Sequence, residues 1–103
     1  MHQENDKIER YKIYLRLEKA LSANSIDAYL TDIDKLTNFV ESEGKKYEDV
    51  TYDDLQQFVA RLRDIGIHPR SQARIISGIK SFYRFLFLDD YITTDPTELL
   101  ESP

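Results

Sequence analysis

The chain has 103 residues, enough for one domain with a single hydrophobic core, and it carries a formal net charge of -5. Hydrophobic residues make up 41% and charged residues 32%, which is typical of a globular domain rather than a disordered chain. The absence of cysteine excludes disulfides and thiolate metal sites. Apolar runs are too short for a membrane span and no signal-peptide pattern is visible, so we expect a cytoplasmic protein without a membrane partner.

Apolar residues at three- and four-residue spacing predict two amphipathic helices in the first half of the chain. The first runs from about Lys7 to Leu21, and we expect residues 1–7 to form a disordered polar tail. Ser22 is the predicted N-cap of the second helix, because its hydroxyl can accept a hydrogen bond from the first turn. That helix ends at Gly44, since glycine is favoured just after a helix.

The second half of the chain predicts two further main helices and a short fifth one. Thr51, with an acid three residues later, resembles a capping box, and the helix that it starts ends at Gly66. Pro69 opens a fourth helix that ends near Asp89, since proline suits the first helical position. Residues 95–98 (Asp-Pro-Thr-Glu) repeat a start signal for the fifth. No segment alternates like a strand, so the predicted fold is all-α.

The predicted fourth helix has two opposite faces. Residues 68–88 contain no Asp or Glu, although the rest of the chain is rich in acids. At about 100° per residue, one side is apolar and predicts a central core helix; it carries Ile75, Ile76, Ile79, Phe82, Tyr83 and Leu86. The other side, about 80° wide, is cationic and bears hydroxyls; it carries Arg70, Arg74, Ser77, Ser81 and Arg84, with Gly78 and Lys80 at its margins. This face fits a DNA groove or is simply a solvated face without acids.

Residues that could carry out catalysis are scarce. The two histidines, His2 and His68, do not form a pair for acid–base or metal chemistry, and His68 is better explained as a helix-start or loop residue. Paired acids lie at helix ends, where carboxylates stabilise an N-terminus or stay solvated. No glycine-rich phosphate loop or nucleophile motif occurs. We therefore expect no catalytic residue, metal or cofactor in this chain.

Several stretches, taken in order, resemble the core-binding domain of tyrosine recombinases, the N-terminal SAM-like domain of Xer-type recombinases and phage integrases. They are LSANSIDAYLTDIDKLTNFVES, the helix that follows Thr51, HPRSQARIISGIKSFYRFL, and DPTELLESP. Their order and spacing extend the resemblance from about Ile8 to Pro103. It implies that residues 8–103 form a four-helix SAM-like orthogonal bundle plus a short C-terminal fifth helix. Such a domain clamps duplex DNA, while strand exchange belongs to a C-terminal catalytic domain that is absent from this chain.

The resemblance also implies partners and site residues. The partners are double-stranded DNA and other recombinase protomers, in a tetrameric synapse of the parent protein, whereas the isolated fragment is expected to be a monomer. The parent would be a tyrosine recombinase whose nucleophile lies in the second domain. The first and fifth helices would meet neighbouring protomers. The predicted DNA-binding residues, from the second and fourth helices, are Asn24, Ser25, Tyr29, Lys35, Arg70, Arg74, Ser77, Lys80, Ser81 and Arg84.

The second helix departs from the family pattern in one respect. Basic residues often follow the tyrosine that matches Tyr29, but Leu30 and Thr31 stand there, and Lys35 is the only base in the middle of the helix. The fourth helix is therefore the expected main contact with DNA. Arg74 has an alternative role, a bridge to an acid of the second helix.

Three further alternatives stay open. Tyr29 either donates a hydrogen bond to a phosphate or is a core tyrosine. Gly78 either lets the fourth helix approach a DNA groove closely or is a packing glycine. For the whole domain, the alternative function is an acidic helical protein-interaction domain, because the net charge is negative and SAM-like folds often bind proteins.

Overall fold

The computed structural model describes residues 3–101. Four α-helices follow one another, α1 (Gln3–Leu17), α2 (Ala23–Ser42), α3 (Tyr52–Asp64) and α4 (Pro69–Leu88), and a 3-10 turn at Tyr47–Asp49 precedes α3. No strand occurs within the described residues, so the predicted all-α fold with four main helices is confirmed. Within the same residues, no helix is long and apolar enough to cross a membrane.

The first helix lies about four residues earlier than the sequence predicted. It begins at Gln3 rather than Lys7, so residues 3–7 are helical and the predicted disordered tail is wrong for them. Lys7 is almost fully buried, and its Nζ atom lies 3.1 Å from Glu48 Oε1 and 5.3 Å from the ring centre of Tyr91. A carboxylate and an aromatic face thus compensate the buried ammonium group. Residues 1 and 2 of the predicted tail lie outside the described residues.

The early end of α1 has a local backbone cause. Ala20 has a φ of +53°, in the left-handed region, and the Leu21 amide donates to the Leu15 carbonyl at 3.1 Å. This bond joins residues six apart, one more than the long bond of a Schellman motif, and it closes the helix end. The helix ends before Leu21, in contrast to the prediction, because a non-glycine residue adopts a conformation that the sequence pattern does not signal.

The predicted start signals of the other helices are confirmed. Ser22 Oγ accepts from the Ser25 amide at 3.2 Å at the start of α2. At the start of α3, Thr51 and Asp54 form a reciprocal capping box, with bonds of 3.1 and 3.0 Å between side chain and amide. Hydrogen bonds from Lys45 and from the Thr51 amide lower the pKa of Asp54. Gly44 and Gly66, at φ +68° and +86°, end α2 and α3 as predicted.

Helix α4 lies at the centre of the core, as its apolar face predicted. All six predicted core residues of this helix are completely buried. The Phe82 ring centre lies 5.1 Å from that of Tyr11 in α1 and 4.9 Å from that of Tyr47. Because α4 also packs against α2 and α3, it holds the other three helices in position.

The predicted fifth helix is a turn. Residues 96–99 form this turn, and Asp95 Oδ1 accepts from the Thr97 amide at 2.9 Å and from its hydroxyl at 2.7 Å. Leu100 is buried in the core and its carbonyl accepts from Lys80 Nζ at 2.6 Å. One turn is too short to be stable through its own hydrogen bonds. Burial and the Lys80 bond therefore hold this segment.

We expect Ala20→Gly to stabilise the domain by up to about 1 kcal/mol. The left-handed conformation costs alanine about 1–2 kcal/mol, and glycine avoids this cost. The greater backbone entropy of glycine in the unfolded chain offsets only part of that stabilisation. Chemical denaturation measures the change. Ala28→Gly, the same substitution at an exposed position inside α2, should instead destabilise the domain by about 1 kcal/mol. Equal effects at both positions would contradict this interpretation.

Candidate nucleic-acid interface

The structure divides the predicted cationic face of α4 into two groups. Arg70, Ser77 and Arg84 are exposed, and among the described residues neither of these arginines pairs with a carboxylate. Arg74 and Lys80, by contrast, bond to other parts of the domain. The two groups lie on one helix face but differ in what they can offer to a ligand.

Arg74 is engaged by an acid of α2. Its Nε and Nη2 atoms donate to the two carboxylate oxygens of Asp32, each at 3.0 Å, and the carboxylate side chain is only 4% exposed. These hydrogen bonds and the charge of Asp32 raise the pKa of Arg74. Arg74 therefore has the alternative role that the sequence suggested for it, as a bridge between α2 and α4. Because two hydrogen bonds already hold this guanidinium on the Asp32 carboxylate, we do not expect it to bind a phosphate.

Gly78 serves helix packing at the same contact. It is buried, and a Cβ atom added to it would lie 3.7 Å from Asp32 Cβ, an ordinary contact distance. The residue therefore faces α2 rather than the exposed side of α4. Of the two interpretations of Gly78, the packing role is the one that its position supports.

Lys80 is directed to the C-terminal segment. Its half-buried side chain donates to the Leu100 carbonyl and so fixes the chain just after the turn at residues 96–99. The position of this ammonium group is set by its bond to the backbone oxygen. The contribution of Lys80 to DNA binding remains a prediction, with the geometry favouring a structural role.

Arg84 lies at a pocket that also contains a cation from outside α4. This Lys19–Arg84 pocket has a volume of about 320 Å³, and its polar lining comes from Lys19, Tyr14, Tyr29, Ser81 and Arg84. Lys19 Nζ lies 5.8 Å from the ring centre of Tyr14. No carboxylate is among the described lining residues. The pocket thus combines two positive charges with three hydroxyl groups.

Tyr11 fixes Ser81 within this pocket. The buried Tyr11 hydroxyl donates to Ser81 Oγ at 3.0 Å. Burial raises the pKa of Tyr11, so the phenol stays protonated and acts as the donor. The hydroxyl hydrogen of Ser81 then remains available for another acceptor.

Lys19 is the residue that the sequence interpretation missed. The first helix was expected to continue to Leu21, which made Lys19 one more surface residue of that helix. Because α1 ends at Leu17, Lys19 instead belongs to the short connection that precedes α2. A basic residue three positions before the N-cap Ser22 was the only available signal.

The predicted residues of α2 are only partly brought together. Tyr29 is half-buried against the core and also lines the Lys19–Arg84 pocket, so it has features of both interpretations. Asn24 is exposed in the first turn, and Ser25 lies within 3.2 Å of the capping hydroxyl of Ser22. Lys35 lies about 120° around the helix from Tyr29 and does not line this pocket.

Arg70 marks the other end of the face. It follows His68, whose Nδ1 atom accepts from the Arg70 amide at 3.1 Å, so His68 is a helix-start residue as predicted. Fourteen residues separate Arg70 from Arg84, which corresponds to about 21 Å along a helix. Within the described residues, no group of three or more acids and histidines is placed to hold a metal ion.

We expect Arg74→Ala to destabilise the domain by about 2 kcal/mol, because it leaves the buried Asp32 carboxylate without its partner. Removing one member of a fully buried pair costs about 3–5 kcal/mol, and the 60% exposure of Arg74 reduces that cost. Arg84→Ala, an exposed arginine of the same helix, should change stability by less than about 0.5 kcal/mol. Denaturant titrations compare the two, and equal effects would refute the bridging role.

Comparison with known proteins finds relatives that match most of the chain. Residues 8–89 match the family described as phage integrase, N-terminal SAM-like domain. The chain is 36% identical over 100 residues to the tyrosine recombinase XerC of Roseiflexus sp. (strain RS-1), which covers 96% of this chain and 32% of the relative. It is 39% identical over 97 residues to the tyrosine recombinase XerD of Staphylococcus saprophyticus, covering 93% of this chain and 33% of the relative.

The chain therefore spans about a third of the length of the curated relatives that it matches. The family match covers most of the domain, from α1 to the end of α4, and includes parts of all three helices that line the pocket. On this evidence, the chain belongs to the family of phage integrase N-terminal SAM-like domains, the recombinase module that the sequence resemblance indicated.

Proposed function

We propose that this chain is the DNA-binding module of a tyrosine site-specific recombinase. In this proposal it clamps duplex DNA while a separate C-terminal catalytic domain carries out strand exchange. The observation that carries the DNA-binding part is the Lys19–Arg84 pocket, where two cations and three hydroxyls meet without a described carboxylate. The family membership supports the recombinase part.

The chemistry of the pocket suits a phosphate group. A guanidinium such as that of Arg84 offers a planar fork of N–H donors to phosphate oxygens, and the Lys19 ammonium adds a point charge. The hydroxyls of Tyr29 and Ser81 are neutral donors that can complete the set. Lys19 and Arg84 pair with no carboxylate in the described part of the chain, so no internal ion pair has to break when a phosphate binds.

Arg70 would provide a second anchor. About 21 Å of α4 separates it from Arg84, whereas the major groove is about 12 Å wide, so one helix can reach phosphates on both sides of a groove. Ser77, small and exposed, lies between the two arginines and allows close approach. Phosphate contacts of this kind set position and affinity but carry little sequence information.

The three buried tyrosines of the chain do not resemble an activated nucleophile. Tyr11, Tyr47 and Tyr83 are completely or almost completely buried, and the Tyr83 hydroxyl donates to the Tyr47 carbonyl at 2.8 Å. The raised pKa of Tyr11 is the opposite of what attack on a phosphate needs. In our proposal, which follows the family resemblance, the nucleophile of the parent recombinase lies in its catalytic domain.

We expect the domain to bind duplex DNA weakly, with an affinity that falls by a log–log slope of about -0.9 per phosphate contact as salt rises. Lys19→Ala, Arg70→Ala and Arg84→Ala should each reduce the magnitude of this slope by about one unit, for all sequences alike. Fluorescence anisotropy with a labelled random duplex at several salt concentrations measures the slope.

Arg74→Ala is the matched control for this experiment, and it should lower stability while leaving the slope unchanged. Arg63→Ala, which removes an exposed arginine of α3, should also leave the slope unchanged. The proposal fails if none of the substitutions of Lys19, Arg70 and Arg84 alters the slope, or if Arg63→Ala alters it as much as they do.

A second surface favours contacts with protein. A groove of about 590 Å³ between α1 and α4 exposes apolar side chains, with Ile13 44%, Leu17 69% and Leu88 53% exposed. Such a patch indicates an interaction site in a domain of this size. We infer that neighbouring recombinase protomers on the same DNA cover it, which makes the protein-interaction alternative a second role of the same domain.

We expect Leu17→Ser to reduce the fraction of duplexes that carry two adjacent copies of the domain, without changing the affinity of the first copy. The reason is that serine removes apolar surface from the groove but leaves the phosphate contacts intact. Sedimentation of the domain on a duplex long enough for two copies measures both quantities. Ile65→Ser, at a similarly exposed apolar residue outside this groove, is the control. Identical loading by both variants would contradict a protomer contact here.

A further inference from the structure

A second groove, which the DNA-binding role does not use, lies between the start of α3 and the C-terminal segment. This acidic groove has a volume of about 640 Å³, twice that of the Lys19–Arg84 pocket. One wall comes from residues 48–52 and the other from residues 91–99. Its size is that of sites that hold a ligand of several functional groups.

The groove is acidic over its whole length. Four carboxylates line it, Glu48, Asp49, Asp95 and Glu98, and no lysine or arginine is among its described lining residues. Lys7, which is not among the groove's lining residues, forms an ion pair with Glu48. Asp95 accepts hydrogen bonds from the amide and hydroxyl of Thr97. Asp49 and Glu98 are exposed and form no ion pair in the described part of the chain, so their charges are available to a ligand.

The charge of Glu48 is well secured. Partial burial works to raise its pKa, but hydrogen bonds from its own backbone and from Lys7, together with the charges of Lys7 and Lys46, lower the pKa overall. The carboxylate therefore stays ionised at neutral pH. Lys7 compensates it from the side of α1, so the negative character of the groove comes mainly from Asp49 and Glu98.

Apolar side chains lie among these acids. Leu99 is 72% exposed at the groove, and Ile92 and Tyr91 are half-buried in its lining. An isolated exposed leucine needs no explanation, but here three apolar side chains share one concave surface with carboxylates. A small polycation would leave this apolar surface in water. A ligand that carries both positive charge and an apolar group would cover it.

The acidic surface continues beyond the groove. A neighbouring cavity shares Glu48 and Tyr91 with it and adds Asp6, Glu9 and Asp90. The two cations of that cavity are already engaged, Lys7 by Glu48 and Arg10 by Asp89 at 3.3 Å. Phosphates are repelled by a surface of this charge, so DNA is not its ligand.

We propose that the acidic groove binds a basic peptide segment of a protein partner, an extended stretch that combines lysine or arginine with an apolar anchor. The cationic side chains pair with Asp49 and Glu98, and the apolar anchor covers Leu99 and Ile92. Charge complementarity guides the segment to the groove, and apolar burial retains it there. This site and the DNA face consist of different residues, so each can be tested without the other.

The test uses the fluorescein-labelled peptide Lys-Leu-Lys-Leu-Lys-Leu and the whole chain. Anisotropy should show binding, while Glu-Leu-Glu-Leu-Glu-Leu does not bind and Lys-Ser-Lys-Ser-Lys-Ser binds at least about threefold more weakly. In NMR titrations we expect the chemical shifts of backbone amides to change at residues 48–52 and 91–99.

Asp49→Asn combined with Glu98→Gln should weaken binding of the Lys-Leu peptide at least about threefold, the effect of losing two exposed ion pairs.

Asp64→Asn is the matched control, since it removes an exposed acid from the far end of α3 and should leave peptide affinity unchanged. Leu99→Ser should weaken the peptide with leucine and not the peptide with serine. No binding by the unmodified chain, shifts at other residues, or equal losses in the Asp64 variant and the double variant would each overturn the proposal. Duplex DNA binding should be no weaker in the double variant.

Discussion

The ion pair between Asp32 and Arg74 joins the two helices from which this domain builds its candidate DNA surface. Asp32 is buried, so its carboxylate needs a partner, and Arg74 supplies one through two bonds of 3.0 Å. Gly78 faces α2 at this same point. The position of Tyr29 on α2 relative to Arg84 on α4 depends on this contact, because both residues line one pocket from different helices.

The domain thus uses some of its cations for structure and leaves others for ligands. Lys7 and Lys80 bond to groups 41 and 20 residues away in the chain, and Arg74 to one 42 residues away. Lys19, Arg70 and Arg84 pair with no carboxylate among the described residues. A chain with net charge -5 can present a local positive surface in this way, since the field at a surface depends on nearby charges and not on their sum. In the acidic groove, by contrast, carboxylates gather without lysine or arginine among the described lining residues, so the local surface is negative.

Local signals in the sequence predicted most of the fold. The caps at Ser22 and Thr51, and the apolar side of α4, depend on residues within one or two turns of each other, which a sequence pattern shows directly. Several errors involve distant partners, whereas the early end of α1 has a local cause in the backbone of Ala20. Lys7 looked like part of a solvated tail because Glu48 and Tyr91 are far away in the chain. For the same reason the pattern could place Arg74 and Lys80 on a face but could not show that each has a partner within the domain.

The central claim is that α4 separates its arginines into one that holds the fold and two that meet DNA. NMR spectra of the arginine Nε–H groups test it most directly, because each group reports on its own hydrogen bonds. On titration with a duplex, the account predicts that the signals of Arg70 and Arg84 shift, while the Arg74 signal, fixed by Asp32, stays in place with slow hydrogen exchange. A shift of the Arg74 signal with unchanged Arg70 and Arg84 signals would contradict it.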